Sequence, residues 1–169
     1  MRLPAGLVVP EEADGARLLS SLTGRPRPPG WWGGRAARRS ASLAVSPGAV
    51  GLNTQALALL RAAEASRARC LVVVAPHVSD EVLATLLIND LARVLPDGIL
   101  PLQVQAPEFH VAELIERLAK YLGVPLWDGR PAQVPLLRVQ RVRATTEAME
   151  LELAGPARGV ARRRWPPWT

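Results

Sequence analysis

Short apolar runs recur along the chain and predict β-strands. Residues 71–75 and 99–105 are almost continuously apolar, which is typical of strands covered on both faces of a sheet. Shorter runs at 5–10, 42–45 and 124–127 predict three further strands. The chain therefore has the pattern of a sheet whose central strands are fully buried.

Apolar residues at helical spacing fill the intervals between these runs. They predict helices over 14–22, 53–68, 79–95 and 111–122. Asn53 and Ser79 stand where an N-cap is expected, and Gly123 follows the last helix, where a glycine commonly ends a helix. Strands and helices thus alternate through the first three quarters of the chain.

Two segments of alternating polarity follow, at 136–143 and 148–153, and predict a β-hairpin. The fold class that we predict is α/β with layered β-β-α order, in which a sheet with crossover helices is followed by a C-terminal hairpin. We expect residues 71–75 and 99–105 to be neighbouring strands of this sheet. The helix over 79–95 would then be the crossover that connects them.

The helix over 79–95 has an unusually thin polar face. Its polar side chains are few, and they include Glu81, Thr85, Asp90 and Arg93. A surface helix normally keeps a broad polar face, so this helix is either buried on nearly all sides or has an apolar face open to a partner. The pattern alone favours burial.

No convergent set of catalytic residues is evident in the sequence. The two histidines, His77 and His110, are expected to be solvated loop residues, and Cys70 begins an apolar run, where an inert buried thiol is expected. No glycine-rich phosphate motif precedes a helix, and the His and Cys spacing disfavours a zinc site. We therefore expect a protein that is not an enzyme and has no metal, nucleotide or other cofactor.

Positive charge is concentrated at the two ends of the chain. The formal net charge is +6, yet residues 40–157 contain ten basic and twelve acidic side chains. We interpret residues 1–40 as an N-terminal segment with a basic Pro/Gly/Trp-rich loop, 41–155 as the folded domain, and 156–169 as a basic Trp/Pro-rich tail. No stretch has the length of a membrane span or the pattern of a signal peptide, so we expect a cytoplasmic protein without membrane contact.

Arginine beside tryptophan suits single-stranded nucleic acid, because charge and stacking act together there. The candidate nucleic-acid contacts are Arg35, Arg38, Arg39, Arg162, Arg163 and Arg164. Two other interpretations remain open for the same segments. The ends either are flexible and solubilising, or fold back and cover a groove of the domain.

The segment around the helix over 79–95 resembles the apical domain of GroEL-type chaperonins. Its Val82-Leu83-Ala84-Thr85-Leu86-Leu87-Ile88-Asn89 is similar to the family's Ala-Leu-Ala-Thr-Leu-Val-Val-Asn, and it likewise follows an apolar strand and an acidic turn. Downstream, Gln105-Ala106-Pro107-Glu108-Phe109 resembles the family's Lys-Ala-Pro-Gly-Phe. The resemblance covers about residues 41–155 and implies the fold of that domain.

In that family two adjacent helices form an apolar groove for non-native polypeptide. The resemblance implies that Leu83, Leu87 and Ile88 form one wall and that their helix face is exposed. Aligned without gaps, Ala58 and Arg61 occupy leucine positions of the other wall. A shift of one residue would place Leu57 and Leu60 there instead.

Two functions of different classes follow from these observations. The first is an ATP-independent, chaperone-like module that binds segments of non-native or partner protein in the groove. The alternative is a nucleic-acid-associated or scaffold protein that reuses the fold and binds through its Arg/Trp-rich ends. The sequence has no counterpart of the chaperonin nucleotide motif, so we expect no ATP hydrolysis.

Overall fold

Strands from both ends of the chain meet in one sheet. The structure is a computed structural model, and it describes residues 2–10 and 30–153. The strands are β1 (Arg2–Leu3), β2 (Ala5–Leu7), β3 (Arg35–Val45), β4 (Cys70–Ala75), β5 (Ile99–Val104), β6 (Leu137–Thr145) and β7 (Met149–Leu153). Their order across the sheet is β1-β7-β6-β3-β4-β5-β2.

The central strands β3, β4 and β5 are parallel, and the remaining pairs are antiparallel. Three helices belong to the described residues: α1 (Asn53–Ala65), α2 (Asp80–Leu91) and α3 (Glu108–Leu122). Helix α2 connects β4 to β5, which pair directly, so the predicted crossover between neighbouring strands is confirmed. The predicted class, a mixed α/β fold with a terminal hairpin, is also confirmed.

The N-terminal strands curl the sheet back on itself. Strands β1 and β2 lie at opposite ends of the strand order, although only Pro4 separates them along the chain. The backbone N–H of Gln105 donates to the Pro4 carbonyl at 2.6 Å, and its side-chain amide donates to the Thr146 carbonyl at 2.6 Å. A Cβ on Gly6 would overlap that same carbonyl, so glycine permits the close approach. The segment 2–7 thus joins the two edges of a barrel-like sheet.

The observed bounds of the strands correct several predictions made from the sequence. The boundary that we placed at residue 40 falls inside β3, and β1 and β2 belong to the same sheet. Residues 124–127 form no strand, although Trp127 is buried and its backbone N–H donates to the Val45 carbonyl at 2.9 Å. Pro125 has no N–H for a strand ladder, which accounts for the irregular backbone. The predicted helix over 14–22 and the tail 156–169 lie outside the described residues.

A glycine stands where β5 approaches the end of α2. Gly98 has a φ of +86°, and a Cβ added to it would lie 2.5 Å from Oδ1 of Asp90. We expect Gly98→Ala to lower the free energy of unfolding by about 1–3 kcal/mol, because both the backbone and the neighbouring carboxylate oppose a side chain. Urea denaturation measures the change. Gly48→Ala is the matched control, since a Cβ there would meet nothing within 4 Å, and an equal loss in both variants would contradict the prediction.

Candidate functional site

Helices α1 and α2 lie side by side, and Asn53 links them. Its side-chain amide donates to Oε1 of Glu81 at 2.8 Å, and the hydroxyl of Thr85 donates to its Oδ1 at 2.7 Å. Ser79 fixes the start of α2, because its Oγ accepts from the N–H of Val82 and donates to the carbonyl of Gly51 at 3.2 Å. The first turns of the two helices are therefore held together by polar contacts.

Exposed aliphatic side chains follow on the outer side of this junction. Leu57 lies one turn beyond Asn53 and is 41% exposed, and Ile88 lies one turn beyond Thr85 and is 36% exposed. Leu52, at the start of α1, is 61% exposed. We call Leu52, Leu57 and Ile88, together with Asn53 and Thr85, the α1–α2 seam. It is a surface with polar contacts at one end and uncovered aliphatic groups beside them.

The structure corrects the expectation that Leu83 and Leu87 face outward. Leu83 is 9% exposed and Leu87 is 1% exposed, so both belong to the core. They share the inward face of α2 with Val82 and Leu86, which are completely buried. Helical spacing turns Ile88 away from that face, so the outward position implied by the resemblance is found for Ile88 alone of the three.

Ala58 and Arg61 occupy different environments on α1. Ala58 is 6% exposed and lies one turn beyond Gln55, whose side chain bonds the carbonyl of Gly129, away from the Asn53 side. Ala58 is therefore covered and does not open toward α2. Arg61 is exposed and lies one turn beyond Leu57. The register shifted by one residue fits α1 better at Leu57, which is exposed.

Of the two residues that the shifted alignment would place in the groove wall, only Leu57 is exposed. Leu60, the second residue that this shift would place in the wall, is 4% exposed and packs into the core. Leu57 and Leu52 are the residues that gap-free alignment missed. Leu57 was indicated only by the one-residue shift of the alignment, whereas Leu52 precedes the helix and had no such signal.

The candidate nucleic-acid residues that the structure describes lie in a strand. Arg35 and Arg39 are exposed on β3, whereas Arg38 is partly buried and its Nε donates to the Asp97 carbonyl at 2.7 Å. Arg162, Arg163 and Arg164 lie outside the described residues. Trp31 is 1% exposed and therefore unavailable for stacking on a base. The interpretation of this part of the chain as a flexible arm is corrected: residues 30–45 are a short 3-10 turn and a strand.

Asp90 was predicted on the polar face of α2, but it is 8% exposed. Its Oδ2 accepts from Nε1 of Trp31 at 2.7 Å, and the backbone N–H of Ile99 also donates to it. Burial raises the pKa of Asp90 above its ordinary value, and these two hydrogen bonds oppose that rise. Trp31 and Asp90 are 59 positions apart, so no local pattern could have paired them.

Cys70 and His110, two potentially reactive residues, lie in different environments, the first buried and the second exposed. Burial raises the pKa of the Cys70 thiol to about 12, so this sulfur stays protonated and unreactive. His110 packs against the Phe109 ring, with 4.3 Å between ring centroids, and its Nδ1 lies 3.9 Å from Glu113. Over residues 2–10 and 30–153, no three His, Cys, Asp or Glu side chains lie together in a way that could hold a metal ion. No helix in the same ranges has the length and apolar character to span a membrane.

Comparison with known proteins shows the fold. No protein-family model and no curated protein matches this sequence. Among solved structures, the chaperonin gp146 from the bacteriophage EL 2 (Pseudomonas aeruginosa) matches in crystal form II with a TM-score of 0.51 and 12% identity, over 73% of this chain. The same chaperonin in crystal form I matches with a TM-score of 0.42 and 13% identity, over 86% of this chain.

This chain spans only 26% of the form II chaperonin chain. At such identity the match concerns the path of the backbone and carries no information about ligands. The described domain is therefore similar in fold to part of a chaperonin.

Proposed function

We propose that this chain is a polypeptide-binding, chaperone-like module built on a fold of the chaperonin apical type. The observation that carries the proposal is the α1–α2 seam, where Leu52, Leu57 and Ile88 are exposed on adjacent helices. The chaperonin-like fold and the resemblance of residues 82–89 to the apical helix support the same interpretation. The occupant would be an apolar segment of a non-native or partner protein.

The chemistry of the seam suits weak binding of varied segments. Aliphatic side chains attract apolar groups without fixed direction, so no single sequence is required. Fully burying one leucine or isoleucine contributes about 1.5–3 kcal/mol, and these side chains are already partly covered. Together they supply about 2–4 kcal/mol, which corresponds to dissociation constants of about 1 mM or weaker. Tighter capture would require several copies acting on one client.

The polar end of the seam would orient the bound segment. Asn53, Glu81 and Thr85 already bond one another, so a segment there meets a fixed set of polar groups. Arg61 and Glu64 are exposed on α1 and offer charge on the same helix. The binding requires no nucleotide, and we propose that it is independent of ATP.

The test is a Leu57→Ser, Ile88→Ser double variant assayed for suppression of aggregation of a denatured client protein. We expect the melting temperature to change little, because exposed substitutions typically alter stability by about 0.5 kcal/mol or less. Suppression should fall markedly, and added ATP and magnesium should not alter it in the native chain.

Phe109→Ser is the matched control. Phe109 is 80% exposed, more than either seam residue, but it lies on α3. If general surface hydrophobicity caused the suppression, this variant would lose at least as much activity as the double variant. That result, or an unchanged double variant, would overturn the assignment of the seam.

A further inference from the structure

A second surface, formed by the antiparallel half of the sheet, has a different chemistry. Side chains alternate across a strand, so every second residue of β3 and β6 faces outward. On β3 these are Arg35, Ala37 and Arg39, and on β6 they include Arg143, and all four are exposed. Ala37 is paired with Arg143 in the register, so Arg143 lies beside the interval between the two β3 arginines.

The same outward face continues onto β7 and β1. Glu150 is paired with Arg143 on one side and with Arg2 on the other. Arg141 is half-buried and lies 4.0 Å from Glu152. The outward face therefore contains five arginines and two glutamates, and we call Arg2, Arg35, Arg39, Arg141 and Arg143 the arginine face.

A shallow depression lies within this face. The residues that line it include the small side chains of Ala37 and Ala148 and the charged side chains of Arg2, Arg35, Arg143 and Glu150. The small side chains let an extended molecule approach the sheet, while the long cationic side chains reach over it. The residues that line the depression include no aromatic side chain.

The arrangement of charge is unfavourable for the isolated fold. Arg39 lies directly opposite Arg141, and like charges in that cross-strand position are destabilising. Among the described residues, no carboxylate lies within ion-pair distance of Arg35, Arg39 or Arg143. Glu152 compensates the charge of Arg141, but no carboxylate in the part of the chain that the structure describes compensates the charge of Arg39. A ligand of opposite charge would relieve the repulsion between the two arginines.

We propose that the arginine face binds the phosphate backbone of a nucleic acid, independently of base sequence. Guanidinium groups bind phosphate through paired hydrogen bonds, which suits this residue type better than lysine. Measured along the strand direction, the spacing from Arg35 to Arg143 and from Arg143 to Arg39 is two residues, or about 7 Å. That step equals about two phosphates of one duplex strand, which are spaced about 3.4 Å along the axis.

The depression has no surface for base stacking, so contacts to phosphate carry the binding. This site keeps Arg35 and Arg39 from the N-terminal contacts considered from the sequence, but it adds residues of β6 and β1 and leaves out Arg38, which is turned inward to Asp97. It is also separate in composition from the aliphatic α1–α2 seam.

The test uses the full chain with Arg35, Arg39 and Arg143 replaced by glutamine. A fluorescent DNA duplex of mixed sequence is titrated at several salt concentrations, and so is a single strand of the same sequence. We expect weaker binding and a fall of about 3 in the slope of log affinity against log salt, since each lost phosphate contact contributes about 0.9.

The control replaces Arg67, Arg117 and Arg130 by glutamine; these residues are exposed elsewhere, and the change removes the same total charge. We expect this triple variant to keep nearly the native slope. Equal losses in the two variants would assign the binding to net charge or to the chain ends and would overturn the proposal. Competition by poly-glutamate as strong as that by duplex would also overturn it, in favour of an acidic polypeptide.

Discussion

Replacing Leu87 by serine is expected to destabilise the fold severely. Leu87 is 1% exposed and packs in the core on the inward face of α2. Truncating a buried leucine to alanine costs about 2–5 kcal/mol, and serine adds a hydroxyl that must be buried. Because domains of this kind are stable by only about 5–15 kcal/mol in total, the variant would lose a large part of its stability. Urea denaturation and melting measure the loss.

Ile88→Ser is the matched control for this experiment. Ile88 is the next residue along α2, but it is 36% exposed, so we expect its replacement to cost about 0.5 kcal/mol or less. A comparable loss at both positions would mean that α2 is enclosed on its outer side as well. The contrast separates a core leucine from a seam isoleucine on the same helix turn. The same stability measurements show whether a variant fails to bind the client because a contact is missing or because the protein is unfolded.

The order of the elements from β3 to β7 was predictable because most of them obey a local rule, although the N-cap of α1 is Leu52 and not the predicted Asn53. The continuous apolar run of β4 indicated a strand buried on both faces, and every residue from Cys70 to Ala75 is buried. Ser79 caps α2 as predicted, and Gly123, with a φ of 72°, ends α3. These signals lie within a few residues of the structure that they determine.

The closure of the sheet and the outward side of α2 were not predictable in the same way. Strands β1 and β2 are two and three residues long, too short for an alternation pattern to indicate their partners at opposite ends of the sheet. On α2, apolar residues surround most of the helix, so periodicity does not distinguish Leu87 from Ile88. The sheet on one side of α2 and solvent on the other make that distinction. The residues that resemble the apical helix of the family do form a helix, but the resemblance did not indicate which of its side chains are exposed.

Trp31→Phe is expected to lower stability, and the loss should grow with pH. Trp31 is 1% exposed and donates its Nε1–H to the buried carboxylate of Asp90 at 2.7 Å. Phenylalanine keeps an aromatic ring but lacks the donor. A hydrogen bond to a charged group contributes about 1.5–3 kcal/mol, so we expect a loss of that size where Asp90 is ionised. Urea denaturation from about pH 5 to about pH 8 measures it.

The direction of the pH dependence follows from the raised pKa of Asp90. Burial raises this pKa in the folded state above its value in the unfolded chain, so the folded state binds the proton more tightly. The contribution of Asp90 to stability is therefore greatest below the ordinary aspartate pKa and is lost as pH rises through the raised value. The Trp31 hydrogen bond favours the ionised form and limits this fall. Without it the pKa rises further, and the variant loses stability over a wider pH range.

Asp90→Asn isolates this contribution, because asparagine does not ionise. In that background the stability cost of Trp31→Phe should be independent of pH, although the introduced amide fits the two N–H donors less well than a carboxylate. Arg38 and Arg93 also act on the Asp90 charge and are unchanged in every variant. If Trp31→Phe showed the same pH dependence with and without the Asp90→Asn change, the pair would not be coupled. The turn Gly30–Gly33 would then be held to α2 by packing of the Trp31 ring alone.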